Sequence, residues 1–259
     1  MKNDGFALVT GASRGLGMAF ARELGERHQN LVLVGRSAES LNLFASELRK
    51  TKHITVVALP MDLATPGAGQ KLAQALSDSD LQVNLLVNNA GFGLRGEFRN
   101  LDVSRQIEML RLNNEAIAEL TYSLLPSLLE QRHKGIINVS STAGFQPIPY
   151  AAMYSATKAF LTTFSLALEH ELRAYDVTVV TVCPGRLRPN ENPGSARPAK
   201  GRWAGVSQTH EEVVHNALRA LENGGGLTVP GALNKFSVFA QRLIPRRLVP
   251  RLVAKMSRA

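Results

Sequence analysis

Cysteine is nearly missing from this chain of 259 residues: Cys183 stands alone. A lone cysteine excludes an intrachain disulfide and any cysteine-based metal cluster. Long apolar runs are missing too. None reaches the ~18–20 residues that a membrane-spanning helix needs, although hydrophobic residues make up 44% of the chain. The six histidines (28, 53, 133, 170, 210 and 215) show no HxxxH or other ligand spacing, so no metal centre is expected. No internal repeat and no linker-like stretch divides the sequence, and about 250 residues fit one α/β core, so residues 1–259 are expected to form a single domain. Met-Lys-Asn-Asp-Gly runs directly into a strand-like segment and leaves no room for a signal peptide, which makes the cytoplasm the expected location. Acidic residues vanish from Asn223 to Ala259, where Lys235, Arg242, Arg246, Arg247, Arg251, Lys255 and Arg258 are seven positive charges. The net charge of the whole chain is +9, so most of the excess sits in this tail.

What is present is an alternation of short apolar runs and longer helical patterns. Strands are expected at Phe6–Thr10, Asn30–Val34, Ile54–Leu59, Val83–Asn88, Gly135–Val139, Val177–Val182 and Leu227–Val229. Helical spacing falls between them, at about 15–28, 37–50, 67–77, 103–132, 153–174 and 210–222. Seven strands with intervening helices predict an α/β fold: a doubly wound parallel sheet with helices on both faces. Pro184–Ser207, rich in Pro, Gly, Arg and Asn, reads as a long loop, and a lid over the substrate is expected at about 185–208.

The first strand ends in Gly11-Ala12-Ser13-Arg14-Gly15-Leu16-Gly17 and a helix pattern follows. Glycines allow a tight turn and a close approach, and a helix N-terminus favours an anion, so this is a phosphate-binding turn. In dinucleotide folds an acidic residue after the second strand binds the adenosine ribose hydroxyls and selects NAD. Here that strand ends in Gly35-Arg36-Ser37, with no carboxylate. Arg36, together with Arg14 in the glycine turn, suits a 2′-phosphate, because a guanidinium binds phosphate bidentately; the cofactor expected is NADP(H).

Tyr154 and Lys158 are four residues apart in a helical pattern and project from one face. A phenol titrates near ~10, and a neighbouring ammonium should lower that value, which gives the pair a rationale as a general acid/base. Ser141, with Ser140 as the alternative, ends the strand Gly135–Val139, where ligands of open α/β sheets bind. A serine hydroxyl there can hold a substrate oxygen as its charge develops.

These motifs together resemble the classical short-chain dehydrogenase/reductase family, in its bacterial, broad-specificity subgroup. The resemblance rests on Thr10-Gly11-x3-Gly15-x-Gly17, Asp62-Leu63 after the third strand, Asn88-Asn89-Ala90-Gly91 after the fourth, Asn113 in a long helix, Tyr154-x3-Lys158 and Cys183-Pro184-Gly185. It implies a Rossmann fold and hydride exchange between NADP(H) and a carbonyl or alcohol, with Tyr154 moving the proton. It also implies Ser141 rather than Ser140, from the spacing to Tyr154. Lys158 would hold the nicotinamide ribose, and Asn113 would hold a water linked to Lys158, be satisfied by backbone, or do both. By the same resemblance the cofactor surface comprises Gly11, Ser13, Arg14, Gly15, Leu16, Gly17, Arg36, Asp62, Leu63, Asn89, Ala90, Gly91, Tyr154, Lys158, Pro184, Gly185 and Leu187.

One position departs from the family. Where a threonine commonly bonds the nicotinamide carboxamide, this chain has Pro189, which offers neither hydroxyl nor N–H. The backbone of Leu187 or the side chain of Asn190 would have to substitute. Phe92, Phe145, Pro147, Ile148, Tyr150, Met153 and Arg186 flank the site, and their apolar character points to a hydrophobic carbonyl substrate. A homodimer or homotetramer is expected through the helices at 103–132 and 153–174.

The tail at about 234–259 interleaves apolar and basic residues. Packing over the substrate pocket or at a subunit interface is the favoured reading, ahead of peripheral membrane contact, since Pro245 and Pro250 should break a single long helix. No nucleic-acid motif accompanies the charge, and no nucleic-acid partner is expected. The competing functional reading is a nucleotide-sensing or lipid-associated binding protein with little turnover on the same fold.

Overall fold

The structure is a computed structural model that describes residues 5–188, 207–245 and 247–257. The chain opens with β1 (Phe6–Thr10), α1 (Gly15–Glu26), β2 (Asn30–Gly35), α2 (Ala38–Lys52), β3 (Val56–Pro60), α3 (Ala68–Asp78) and β4 (Val83–Asn88). After a short 3₁₀ turn come α4 (Val103–Leu110) and α5 (Ala116–Leu129), then β5 (Gly135–Val139), α6 (Ala152–Leu172) and β6 (Thr178–Val182). The last elements are α7 (His210–Glu222), β7 (Gly226–Thr228), α8 (Ala232–Ala240) and α9 (Val249–Ser257). Every expected strand is present, with ends shifted by no more than two residues.

The seven strands form one parallel sheet in the order β3-β2-β1-β4-β5-β6-β7. The order in which successive strands are added reverses between β1 and β4, so a crevice opens at their carboxyl ends. Alternate residues of each strand serve opposite cores. Ala7, Val9, Leu31 and Leu33 pack under α1, α2 and α7 through Phe20, Leu24, Phe44, Leu48 and Val213. Leu8, Val32, Val34 and Leu86 pack under α3 and α5 through Leu72, Leu76, Leu120 and Leu124. Burial on both sides is why these strands read as unbroken Val/Leu/Ile runs.

Two local features depart from the sequence pattern. The helix expected at 103–132 is interrupted: α4 and α5 are joined by a π-helical turn, Arg111–Glu115. The widened turn directs both Asn113 and Asn114 inward, where they are buried. Apolar periodicity carries no sign of this, because one extra residue per turn shifts the pattern too little to see. In the tail, Pro245 does separate α8 from α9. Pro250, however, lies in the first turn of α9, where no backbone N–H is required, and starts that helix rather than breaking it.

Candidate active site

A cleft of about 920 Å³ runs along the carboxyl edge of the sheet, from the turn after β1 to the start of α6. Its floor begins at the N-terminus of α1. Other helices here carry side-chain caps: Ser37 accepts from the Ser40 N–H on α2, and Asp102 from the Ser104 N–H on α4. The helix α1 has no side-chain cap and no acidic residue in its first turn. Its free N–H groups therefore face the cleft, ready for an anion.

Thr10 ties this turn to the end of β4. Its hydroxyl accepts from the N–H groups of Asn89 and Ala90, each at 3.0 Å, and donates to the Val87 carbonyl at 3.2 Å. The Asn89 amide returns the tie, donating to the Thr10 carbonyl at 2.8 Å. Space here is reserved for backbone. A Cβ on Gly11, which has φ +67°, would come within 2.9 Å of Ala90 Cα, and one on Gly91 within 2.9 Å of Asn113 Oδ1. Most of the expected cofactor residues line this cleft: Gly11, Ser13, Arg14, Gly15, Leu16, Arg36, Asp62, Leu63, Asn89, Ala90, Gly91, Tyr154, Lys158, Pro184, Gly185 and Leu187.

Gly17 does not line it. A Cβ there would lie 2.3 Å from the Gly11 carbonyl oxygen and 2.6 Å from Asn89 Nδ2, so the residue lets α1 pass close behind the turn. Gly17→Ala is expected to displace that turn and cost about 1–3 kcal/mol, as overpacking typically does. A melting temperature equal to that of the parent protein would remove this account.

At the far end of the cleft, α6 presents Tyr154 and Lys158 on one face, and Ser141 comes from the end of β5. The Ser141 hydroxyl neighbours the Tyr154 phenol and draws its pKa down, while donating to the Pro184 carbonyl at 3.4 Å. Ser141 also accepts from the Ala143 N–H at 3.1 Å, capping a 3₁₀ turn at Thr142–Phe145. Ser140 is spent on structure: its hydroxyl donates to the Lys158 carbonyl at 2.9 Å and lies 2.7 Å from Thr162 Oγ1. Ser140 is buried, while Ser141 is half-buried at the cleft.

Lys158 is buried, and its ammonium donates to the Val139 carbonyl at 2.9 Å. Burial lowers its pKa to about 8, opposed weakly by the neighbouring Cys183. The Cys183 thiol is itself pushed up to about 11 by burial. Tyr154 departs from expectation: burial raises its pKa, with the Ser141 hydroxyl pulling the other way, and Lys158 is not among the groups that shift it. The expected lowering by a neighbouring ammonium does not arise, and burial raises the phenol because the phenolate would lose its hydration.

Asn113 is fully buried behind the cleft. Its side chain accepts from the Phe92 N–H at 3.1 Å and donates to the Phe92 carbonyl at 3.0 Å and to Thr157 Oγ1 at 3.1 Å. Thr157 in turn donates to the Tyr154 carbonyl at 2.8 Å. These bonds are the backbone-satisfied arrangement, and they clamp the π turn against the first turn of α6.

Of the expected substrate residues, Phe92 alone lines the cleft. Tyr150 and Met153 border a separate small cavity with Leu94, Phe98 and Met109. Met153 precedes Tyr154, and successive helical residues point about 100° apart, which turns Met153 toward this second cavity. Phe145 is drawn instead into a cluster with Cys183, Val229 and Val238. Ile148 and Arg186 also lie off the cleft, Arg186 in solvent. Pro189, Asn190 and most of the expected lid fall outside the described residues. The ends of that segment are joined, however: Leu187 bridges Gln208, and the Gln208 amide oxygen accepts from the Gly185 N–H at 3.0 Å.

Ser37, Ser40, Arg188 and His210 line the cleft without having been anticipated. Ser37 carried a legible signal, the helix-cap position after β2. His210 and Arg188 carried none, since only the fold brings them there.

A doubly wound sheet whose crevice is lined by glycine backbone and an uncapped helix N-terminus defines a Rossmann-type dinucleotide fold. Comparison with known proteins narrows this. The short chain dehydrogenase family matches residues 5–197. The chain is 32% identical over 216 residues to the ketoacyl reductase HetN of Nostoc sp., covering 83% of this chain and 75% of that protein. It is 31% identical over 183 residues to the very-long-chain 3-oxoacyl-CoA reductase of Homo sapiens, covering 69% of this chain and 58% of that one, so it spans little more than half of the human protein's length. Among solved structures, a short-chain dehydrogenase from Sphingobium yanoikuyae in complex with NADPH superposes with a TM-score of 0.79 at 27% identity, over 92% of this chain and 94% of that chain. A bulky-bulky ketone specific alcohol dehydrogenase from Comamonas testosteroni gives 0.77 at 27%, over 92% of both. The chain belongs to the short-chain dehydrogenase family of oxidoreductases.

Proposed function

We propose that the protein is an NADP(H)-dependent reductase of hydrophobic ketones or aldehydes, working on Tyr154, Ser141 and Lys158. The observation that carries this is the meeting of those three side chains in one cleft with the uncapped N-terminus of α1. The cradle fits a dinucleotide diphosphate, since the uncapped N-terminus of α1 opens on the cleft with no acidic residue in its first turn. When bound, the cofactor supplies the hydride. The rest falls to the chain. Ser141 orients the substrate oxygen and Tyr154 delivers the proton to it. Burial keeps Tyr154 in its protonated form, which suits reduction at neutral pH. Lys158 holds the ribose end of the cofactor, and Asn113 ties the segment after β4 to α6 through Phe92 and Thr157.

The preference for the 2′-phosphate rests on Arg14 and Arg36, both on the cleft wall where NAD-selecting folds carry a carboxylate. Arg36 is 3.7 Å from Glu108, and its side chain is 60% exposed. Such an exposed pair is worth little and can yield to a phosphate. Arg36→Ala should lower kcat/KM with NADPH at least about tenfold, the worth of a charge-assisted hydrogen bond, and leave NADH kinetics nearly unchanged. Equal losses with both cofactors would refute the assignment.

The two oxoacyl-reducing relatives favour a carbonyl on a hydrophobic chain. The deciding experiment follows NADPH oxidation against hydrophobic ketones, aldehydes and 3-oxoacyl thioesters. No turnover with any of them would sink the proposal. The reading includes a homodimer or homotetramer, supported by exposed Val103, Ile107, Tyr122 and Phe160 on α4, α5 and α6.

A further inference from the structure

The tail packs against the rest of the chain through few side chains. In α8 one side chain, Val238, turns inward, against Cys183 and Val229. Leu233, Phe236 and Phe239 recur every third residue on the other side and are 63%, 69% and 59% exposed. Leu243, in the 3₁₀ turn that continues α8, is 75% exposed, and Leu248 and Leu252 extend the exposed apolar series at the start of α9. At helical spacing the first four fall within one arc of the surface. Aromatic and leucine side chains in water at this density mark a contact surface.

The charge says what contacts it. Exposed Lys235, Arg242, Arg247 and Arg251 border the apolar side chains, and from Asn223 to Ala259 there is no acidic residue. A second copy of the chain would bring like charges face to face in a symmetric contact. A nucleic acid would use the cations but leave the aliphatic side chains in water. An anionic bilayer satisfies both, with cations at the headgroups and apolar side chains at the acyl boundary. Among the described residues no helix is long and apolar enough to cross a membrane.

We propose that the surface formed by α8, the turn after it and α9 docks the protein onto an anionic lipid bilayer. The surface adjoins the 3₁₀ turn at Thr142–Phe145, where Val238 and Phe145 share one apolar cluster. Docking there would set the substrate end of the cleft beside the membrane.

The test is co-sedimentation of the full chain with vesicles of phosphatidylcholine alone or of phosphatidylcholine mixed with phosphatidylglycerol. Binding to the anionic vesicles should be at least about tenfold tighter than to the neutral ones and should fall steeply with added salt. Phe236→Ser/Phe239→Ser and Arg242→Glu/Arg247→Glu should each weaken it about tenfold or more while the melting temperature holds. No binding to anionic vesicles, equal binding to neutral ones, or binding retained by both double variants overturns the proposal. So does a loss of oligomer mass in light scattering by those variants without a change in vesicle binding, which would assign the surface to a second copy.

Discussion

Tyr154→Phe is expected to lower kcat for carbonyl reduction by about 10²–10⁴-fold, the usual contribution of a positioned acid or base. That corresponds to roughly 3–5 kcal/mol of the activation barrier. The fold should be unaffected. The aromatic ring packs against Gly93, where a Cβ would come within 3.0 Å of Tyr154 Cδ2, and phenylalanine keeps that contact. NADPH binding, read by its fluorescence, should stay close to that of the parent protein. This combination separates a lost proton donor from a damaged pocket. Turnover that survives the substitution would leave Tyr154 a packing residue and remove the mechanism.

Lys158→Met should abolish most activity and yet stabilise the protein. The ammonium is buried and its pKa is lowered to about 8 from an ordinary 10.5. Below pH 8 both the folded and the unfolded chain hold the proton, so the cost of burying the charge is fully present, about 3 kcal/mol. From pH 8 to about 10.5 the folded protein gives up its proton first, and stability rises. Above that window both states are neutral and the cost is gone. Methionine removes the charge but leaves the Val139 carbonyl without its donor, which returns about 1–2 kcal/mol. The net expectation at pH 7 is a gain of about 1–2 kcal/mol, or roughly 2–8 °C in Tm for a chain of this size. The advantage should shrink as pH climbs through the window. A variant less stable than the parent at pH 7 would show that the ammonium is better solvated than its surroundings suggest. Undiminished kcat/KM would strike Lys158 from the site.

The two substitutions bear on one disagreement between pattern and structure. Tyr154-x3-Lys158 suggests an ammonium that acidifies a phenol. The folded protein raises the phenol instead and weakens the ammonium, because both are removed from water. Spacing places two groups on one face. It says nothing of how deeply that face is buried, and burial is the larger effect.

The site was otherwise legible in proportion to how local its signals are. The glycine turn, the end of β4 and the first turn of α6 are short motifs whose chemistry depends on residues a few positions apart, and all three line the cleft. The substrate wall was not legible. Phe145, Ile148, Tyr150, Met153 and Arg186 are near the active groups in sequence, but Tyr150 has φ +67° and Met153 sits on another side of α6, so the chain carries them elsewhere. Gly17 belongs to the motif yet serves close packing, since only the fold shows which atom faces it.

The sequence by itself determined the seven strands, their parallel arrangement and the glycine turn at the mouth of the cleft, because period and spacing act over one or two turns of chain. The tertiary structure alone decided that Ser140 is taken up by the Lys158 carbonyl and Thr162, that Asn113 sits in a π turn, that burial raises the Tyr154 phenol, and that α8 shows an apolar side to solvent. Those outcomes depend on burial and on contacts between residues far apart in the chain, and a linear pattern carries no measure of either.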